Sequence, residues 1–384
     1  MPHSLIYATL EPPNMRSSAL NKLLKRPLAV IAIGVILCTA LISIFAYVLA
    51  PDNTPYSNSM IVELGAKSPG FNRQLLLLPK AQKPAHLGKV SELLHGTPSD
   101  HVQVPLNSYS FEGANLHIKH YIDDGVEDEV VYPIGQLLPA GQNGLTLAQQ
   151  QDYVKEHNII NRTFYLGTDR YGRDILSRLI TGSRVSLSVG FVAVILSLSI
   201  GIILGSVAGY FGGKVDSAVM WVINILWSIP TLLLVFAITL TIGKGFWEIF
   251  VAIGLTMWVG AARLIRGQVM VLREMEYVTA AKALGISDMR IIFRHILPNI
   301  AGPLMVIAAS NFAAAILTEA GLSFLGIGVQ PPQPSWGLMI KEHYNFLLTN
   351  KPFPALIPGF AIMLLVYSFN ILGNALRDIL DVKG

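Results

Sequence analysis

Apolar runs of membrane-spanning length recur along the chain, separated by polar stretches. The first runs from about Leu28 to Leu49. Five more follow a long polar interval, at about Val185 to Tyr210, Ala218 to Ile242, Phe246 to Ile265, Ile300 to Leu325 and Phe353 to Leu372. Each holds roughly 20 residues or more, enough at about 1.5 Å per residue to cross a hydrocarbon core of roughly 30 Å. The pattern predicts six transmembrane helices, the third kinked at Pro230, which cannot donate a helical hydrogen bond. A cleaved leader is the rival reading of the first run. Such a leader has an apolar core of roughly 7–15 residues, and the candidate site Val48-Leu49-Ala50 runs straight into Pro51, so an uncleaved span is expected.

Between Pro51 and about Arg184 no apolar stretch is long enough to span. His101–Pro105, Asn115–Ile122 and Glu129–Pro133 alternate and are β-branched as short strands are, and Leu145–Glu156 has helical character. Residues 51–165 therefore read as a small mixed extracytoplasmic insertion, after a cytoplasmic tail at 1–27 and a first span at 28–50. His117 and His120, with His95 and His101 upstream and an acidic run from Asp123 to Glu129, raise the question of a metal site. Their i, i+3 spacing suits a helix face in a segment that reads as strand, so a solvated loop is favoured and no metal is assigned.

The stretch Glu276–Asn299 is polar and basic, yet it lies between the fourth and fifth apolar runs. Tyr277, Val278, Ala281 and Leu284 form one apolar stripe on a short helix, Gly285 ends it, and Ser287 and Asp288 are placed to cap a second helix carrying Ile291, Ile292 and His295. Pro298 marks the next boundary. A helix–Gly–helix between two spans suits a groove on a partner protein better than it suits lipid.

Composition agrees with a membrane class: 52% of residues are hydrophobic and 14% charged, against roughly 25% charged in soluble domains. The single cysteine, Cys38, lies in the first run, so no disulfide forms within the chain. Net charge is only +4, but its distribution is informative. With the N-terminus inside, Arg16, Lys22, Lys25 and Arg26, Lys214, the loop residues Arg266, Arg273, Lys282, Arg290 and Arg294, then Arg377 and Lys383, are all cytoplasmic. The short outer loops hold Lys244, Lys341 and Lys351. This asymmetry obeys the positive-inside rule and predicts both termini in the cytoplasm.

Ala280-Ala281, Gly285 and Ile296-Leu297-Pro298 together resemble the EAA loop of ABC-importer permeases, which docks on a cytoplasmic ATPase. Two further stretches are similar to the dipeptide/oligopeptide and nickel branch of that family: LGTDRYGRDILSRLITGSRVSLSVG from Leu166, and EAGLSFLGIGVQPPQPSWG from Glu319 to Gly337. The resemblance is dense over 166–384. Thr279 stands where the family has Glu, and Asn374 where it usually has Asp.

The resemblance implies an all-α polytopic fold with a coupling loop at 274–299, Tyr277, Ala280, Ala281, Leu284, Gly285 and Pro298 being its ATPase-coupling residues. It implies one permease subunit of an ATP-driven importer of peptides or a related small solute in a bacterial inner membrane. The implied partners are a second permease chain, two ATPase subunits carrying ATP and Mg, and an extracytoplasmic solute-binding protein, with no nucleic acid. It also places the segment from Leu166 as an interfacial helix whose Arg173, Arg178 and Arg184 suit headgroups.

Gly167 and Gly172, four residues apart, suggest a phosphate loop, but Arg173-Asp174 follows where Lys-Ser/Thr is required, so ATP is not expected on this chain. Nor is catalysis. Glu319, near the outer end of the fifth span, is a functional carboxylate by default and joins Asn311 and Ser323 as an expected lining of the path. The alternative is that it caps backbone at the Gly321, Gly326 and Gly328 break. Ser323, Gln330, Ser335 and Trp336 are expected around the outer mouth, Trp336 alternatively as an interfacial anchor. Asn311 and Asn370 alternatively join helices by hydrogen bonds. An ion-driven transporter would need ionisable groups deep in several spans. A membrane-anchored working domain at 51–165 would need a catalytic constellation, and none stands out there.

Overall fold

Apolar chain in a bilayer has no water to satisfy its peptide groups, so it closes its hydrogen bonds within helices. The computed structural model describes residues 21–84, 88–139, 145–243, 245–349 and 352–380. The expectations for Arg16, Lys244, Lys351 and Lys383 fall outside the described residues. Five helices are long and apolar enough to cross a membrane, and they carry the first, second, fourth, fifth and sixth runs. In chain order the helices are α1 (Pro27–Ile44), α2 (Lys89–His95), α3 (Leu147–His157), α4 (Ile175–Phe211), α5 (Gly213–Trp227), α6 (Thr231–Ile242), α7 (Phe246–Arg273), α8 (Glu276–Ala283), α9 (Ala301–Phe324), α10 (Trp336–His343) and α11 (Phe353–Leu380).

The third run departs from expectation. Instead of one kinked helix it forms α5 and α6, which meet at 93°. Pro230 disfavours helical geometry at Ile229, and Pro230 is itself extended at ψ 127°. A second departure lies at the start of α4. No separate interfacial helix precedes the second span; one 37-residue helix begins at Ile175, where Asp174 accepts a hydrogen bond from the Ser177 N–H, and continues to Phe211.

The centre of the bundle is the α4–α7 pair. Gly201, Gly205 and Gly209 recur every four residues along α4 and let the two backbones close up. A Cβ at Gly205 would stand 2.5 Å from the Ala262 carbonyl oxygen, and one at Gly209 would stand 2.7 Å from that of Arg266. On another side, α9, α10 and α11 share a core of Ile316, Trp336, Met339, Leu365 and Phe369, with Phe312 stacked on Phe369 at 4.1 Å. α1 lies along the end of α11 through Ala29, Ala375 and Ile379, and Arg26 reaches Asp378 at 2.6 Å.

The insertion folds around a five-stranded antiparallel sheet. Its strands are β1 (Phe71–Pro79), β2 (His101–Glu112), β3 (Asn115–Asp123), β4 (Val126–Pro133) and β5 (Ile159–Phe164), in the order β4-β3-β2-β1-β5. The three expected strands are present and longer than expected; β1 and β5 are additional. β1 is covered on both faces. Leu76 packs with Leu106, Leu116, Ile118 and Val154 of α3, whereas Leu75 packs with Ile61, Leu64, Tyr121 and Phe164. The histidine pair lies on β3, correcting the loop reading, and successive strand positions put residues three apart on opposite faces. His117 approaches Glu112 at 3.5 Å and His120 approaches Glu63 at 3.7 Å.

Candidate functional site: a coupling surface and the polar groups behind it

The loop joining α7 to α9 is short, amphipathic and tied to the bundle. α8 is closed by a Schellman turn: the Ile286 N–H donates to the Ala281 carbonyl at 3.1 Å and the Gly285 N–H to that of Lys282 at 2.9 Å. Gly285 has φ +73°, and nothing lies within 4 Å of a Cβ built there, so glycine is needed for conformation rather than for space. A helical turn, Asp288–Ile291, follows, then a wider turn over Ile292–Ile296 leads through Pro298 into α9.

Two apolar faces emerge where one stripe is expected. Val278 and Ala281 point inward with Ile291, Ile292, Ile296 and Ile300, against Tyr210, Ala261, Ile265 and Val269 of α4 and α7. Tyr277 and Leu284 point outward, and Leu284 is 80% exposed. Ala280 and Pro298 are exposed with them. So are Met275, Met289 and Phe293. Met289 and Phe293, at i and i+4, extend this outer face; their spacing was legible, but beside two buried isoleucines it reads as core.

Side chains clamp the loop to the end of α4. The Tyr210 hydroxyl donates to Asp288 Oδ1 at 2.7 Å, which corrects the capping role expected of Asp288, and Ser287 makes no side-chain cap. The Lys282 ammonium lies 4.7 Å from the centre of the Tyr210 ring. Arg273 Nη1 donates to the Gly209 and Tyr210 carbonyls at 3.1 and 3.3 Å, satisfying the open end of α4. Arg266 holds Asp216 of α5 through two nitrogens. These contacts tie the loop to α4, and α7 to both α4 and α5.

The three expected path residues separate. Glu319 and Ser323 are fully buried inside the chain. The Ser323 hydroxyl donates to Glu319 Oε1 at 2.6 Å and accepts from the Val329 N–H at 3.1 Å, so the pair anchors the backbone just beyond α9. Asn311 is different. Its amide donates to Ser197 Oγ at 3.2 Å, and it opens onto a cavity of about 320 Å³ with Trp227, Thr231, Thr256 and Thr318. Trp336 is buried and donates to the Leu179 carbonyl at 2.9 Å, neither lining a mouth nor anchoring at an interface. Gln330 donates to the Gly328 carbonyl at 2.8 Å, Ser335 caps α10, and Asn370 is exposed.

The arginines before the second span are not set for headgroups. Arg173 and Arg178 are buried with Asp169, Glu342 and His343. Arg173 donates to Asp169 at 2.6 Å and to Glu342 at 2.9 Å, and Arg178 donates to Glu342 at 3.1 Å. His343 Nε2 stands 3.7 Å from Asp169 Oδ2. Burial pushes the Asp169 carboxyl up, but His343, Arg173 and Arg178 outweigh it and hold the carboxyl down at about 2. Donor atoms of Asp169, Glu342 and His343 lie within 4.8 Å of one another, as a metal would require. Both guanidiniums already occupy the carboxylates, so the cluster is an ion-pair knot joining the 166–174 loop to α10.

A family model described as binding-protein-dependent transport system inner membrane component matches residues 201–383. A dipeptide transport system permease protein of Bacillus subtilis (strain 168) is 42% identical over 219 residues, covering 57% of this chain and 68% of that protein. An oligopeptide transport system permease protein of the same strain is 40% identical over 223 residues, 58% of this chain and 73% of that one. A glutathione transport system permease protein of Pectobacterium atrosepticum is 38% identical over 232 residues, 60% and 77% of the two chains. Among solved structures, an inward-facing MetNI methionine ABC transporter chain aligns with a TM-score of 0.44 at 20% identity, over 53% of this chain and 97% of that one.

Proposed function

The chain belongs to the family of binding-protein-dependent transport system inner membrane components, the ABC-importer permeases, and we propose that it is one permease subunit of an ATP-driven peptide importer. The observation that carries this is the outer face of the loop: Tyr277, Ala280, Leu284, Met289 and Phe293 form an exposed apolar surface held rigidly from behind by Val278, Ala281 and Tyr210. A patch of that kind needs a protein partner. Here the partner is one of two cytoplasmic ATPase subunits, which bind the ATP and Mg. Relatives named for dipeptides and oligopeptides support peptides as the solute.

In this reading α5 and α6 together make the third of six spans, residues 166–384 are the transport domain, and residues 51–165 are an extracytoplasmic insertion after the first span at 28–50. The tail at 1–27 and the C-terminus lie in the cytoplasm. The Arg26–Asp378 pair supports this sidedness, since it joins the start of α1 to the end of α11. A second, homologous permease completes the path, and a solute-binding protein delivers the peptide. Closure of the ATPases pushes α8, and the Tyr210, Arg273 and Arg266 contacts pass the push to the spans. Of the path residues, Asn311 is the one we take to meet a solute, because it opens onto a cavity, whereas Glu319 and Ser323 anchor the backbone beyond α9.

Affinity purification of the full-length tagged chain from mildly solubilised membranes tests this. A nucleotide-binding subunit and a second permease are expected among the recovered proteins. A well-folded preparation that brings neither contradicts the reading.

A further inference from the structure

A pocket of about 410 Å³ lies where the insertion meets the N-terminal ends of α4 and α7. It is within the range of small-ligand sites, roughly 300–1,000 Å³. Its floor carries Arg184 and Ser188 of α4 and Trp247 of α7, and its cover carries Tyr47, Tyr56 and Glu92 of α2. The pocket lies outside the coupling surface and does not contain Glu319, Asn311 or Ser323.

Arg184 is the informative residue. Arg26, Arg173, Arg178 and Arg266 are each matched to a carboxylate of this chain. Arg184 has no carboxylate at ion-pair distance among the described residues. It is half-buried, its Nη1 donates to the Leu94 carbonyl at 2.6 Å, and its guanidinium lies 5.1 Å from the centre of the Tyr47 ring. These two contacts fix the plane of the group. A guanidinium has five N–H donors, so the donors left over are preset for a planar, bidentate acceptor. The same pocket offers two partly exposed aromatic rings, Tyr56 and Trp247. A guanidinium beside aromatic walls around a few hundred cubic ångströms matches the carboxylate end of a short peptide with an apolar side chain next to it.

We infer that this pocket is a receiving site that holds a short peptide by its C-terminal carboxylate on Arg184, after release from the binding protein and before entry between the spans. The site rests on the peptide-importer reading and names where, on this subunit, the peptide first docks. It uses the insertion, which lies outside the residues matched by the family model, as one wall.

The test uses the whole transporter complex in lipid nanodiscs without its solute-binding protein. Calorimetry compares Ala-Phe with Ala-Phe amide, which lacks the terminal charge. The wild-type complex is expected to bind the free acid at least tenfold more tightly than the amide. Arg184→Gln should weaken binding of the free acid to the level of the amide, and Arg184→Lys should recover part of the loss. Thermal unfolding of each variant guards against a folding defect, and the acid-against-amide comparison on the unaltered protein needs no variant. Equal binding of acid and amide, or a tenfold preference that survives in Arg184→Gln, overturns the site. So does absence of binding by a complex that hydrolyses ATP and takes up peptide when its binding protein is added, and that outcome leaves the importer reading intact. A complex that does neither removes the importer reading, and the site with it.

Discussion

At the scale of single residues, the strongest constraints come from charges taken out of water in matched sets. Arg173 and Arg178 are among the largest fully buried side chains, and both end on Glu342, with Asp169 shared between them. Removing one member leaves a buried charge uncompensated, at a cost of roughly 3–5 kcal/mol. Asp169→Asn is therefore expected to lower the thermal unfolding midpoint of the purified protein clearly, and an unchanged midpoint would show that the knot adds nothing. The pH dependence has a definite sign. Folding lowers the Asp169 pKa from 3.8 to about 2, so its contribution is complete above about pH 4 and is lost as pH falls toward 2. The contribution is about 2 kcal/mol, and acid titration of the unfolding midpoint of wild type against Asp169→Asn reads it out. Only half of this knot was legible. Asp169 and Arg173 stand four apart in one motif, but Glu342 lies 169 residues beyond Arg173, and no local pattern announces that pairing. Lacking it, the arginines read as headgroup ligands.

Elements divide by how local their causes are. α1, α7, α9 and α11 follow from uninterrupted apolar runs, and Gly285 marks the end of α8 because the turn needs a positive φ. β2, β3 and β4 were legible because they carry alternation and β-branched residues. β1 was not: Leu75 and Leu76 are both buried, one against each covered face, which erases the alternation. The two-faced loop was obscured for a related reason. Val278 and Ala281 turn inward while Tyr277 and Leu284 turn outward, and a single stripe is a poor description of such a helix. Gly201, Gly205 and Gly209 of α4 recur every four residues, a spacing that does not by itself name the partner helix. Gly205→Val would push a side chain against the Ala262 carbonyl. It is expected to force α4 from α7 and abolish accumulation of folded protein in membranes, whereas Gly267→Val, where nothing lies within 4 Å, should be tolerated. Equal expression of both variants would contradict the close-packed account.

For the whole molecule, the proposed importer requires one sidedness: in that proposal the loop at 274–299 faces the ATPases and the insertion faces the incoming peptide. Cys38 is the only cysteine, so a Cys38→Ala background permits labelling at chosen sites. Lys119→Cys in the sheet is expected to react with a membrane-impermeant maleimide in intact spheroplasts, and Met289→Cys only after lysis; the reverse pattern would invert the topology.

The most direct test of the central claim joins residue to machine. Gly285→Glu strains a positive-φ turn while meeting no neighbouring atom, so the fold should survive while the outer face of α8 is misdirected and charged. The measurement is peptide uptake against ATP hydrolysis in proteoliposomes containing the complete transporter, wild type beside Gly285→Glu. A coupling surface predicts that uptake falls at least tenfold while the unfolding midpoint of the purified chain stays within a few degrees. Uptake at the wild-type rate, with the substituted chain assembled in the complex, would contradict it.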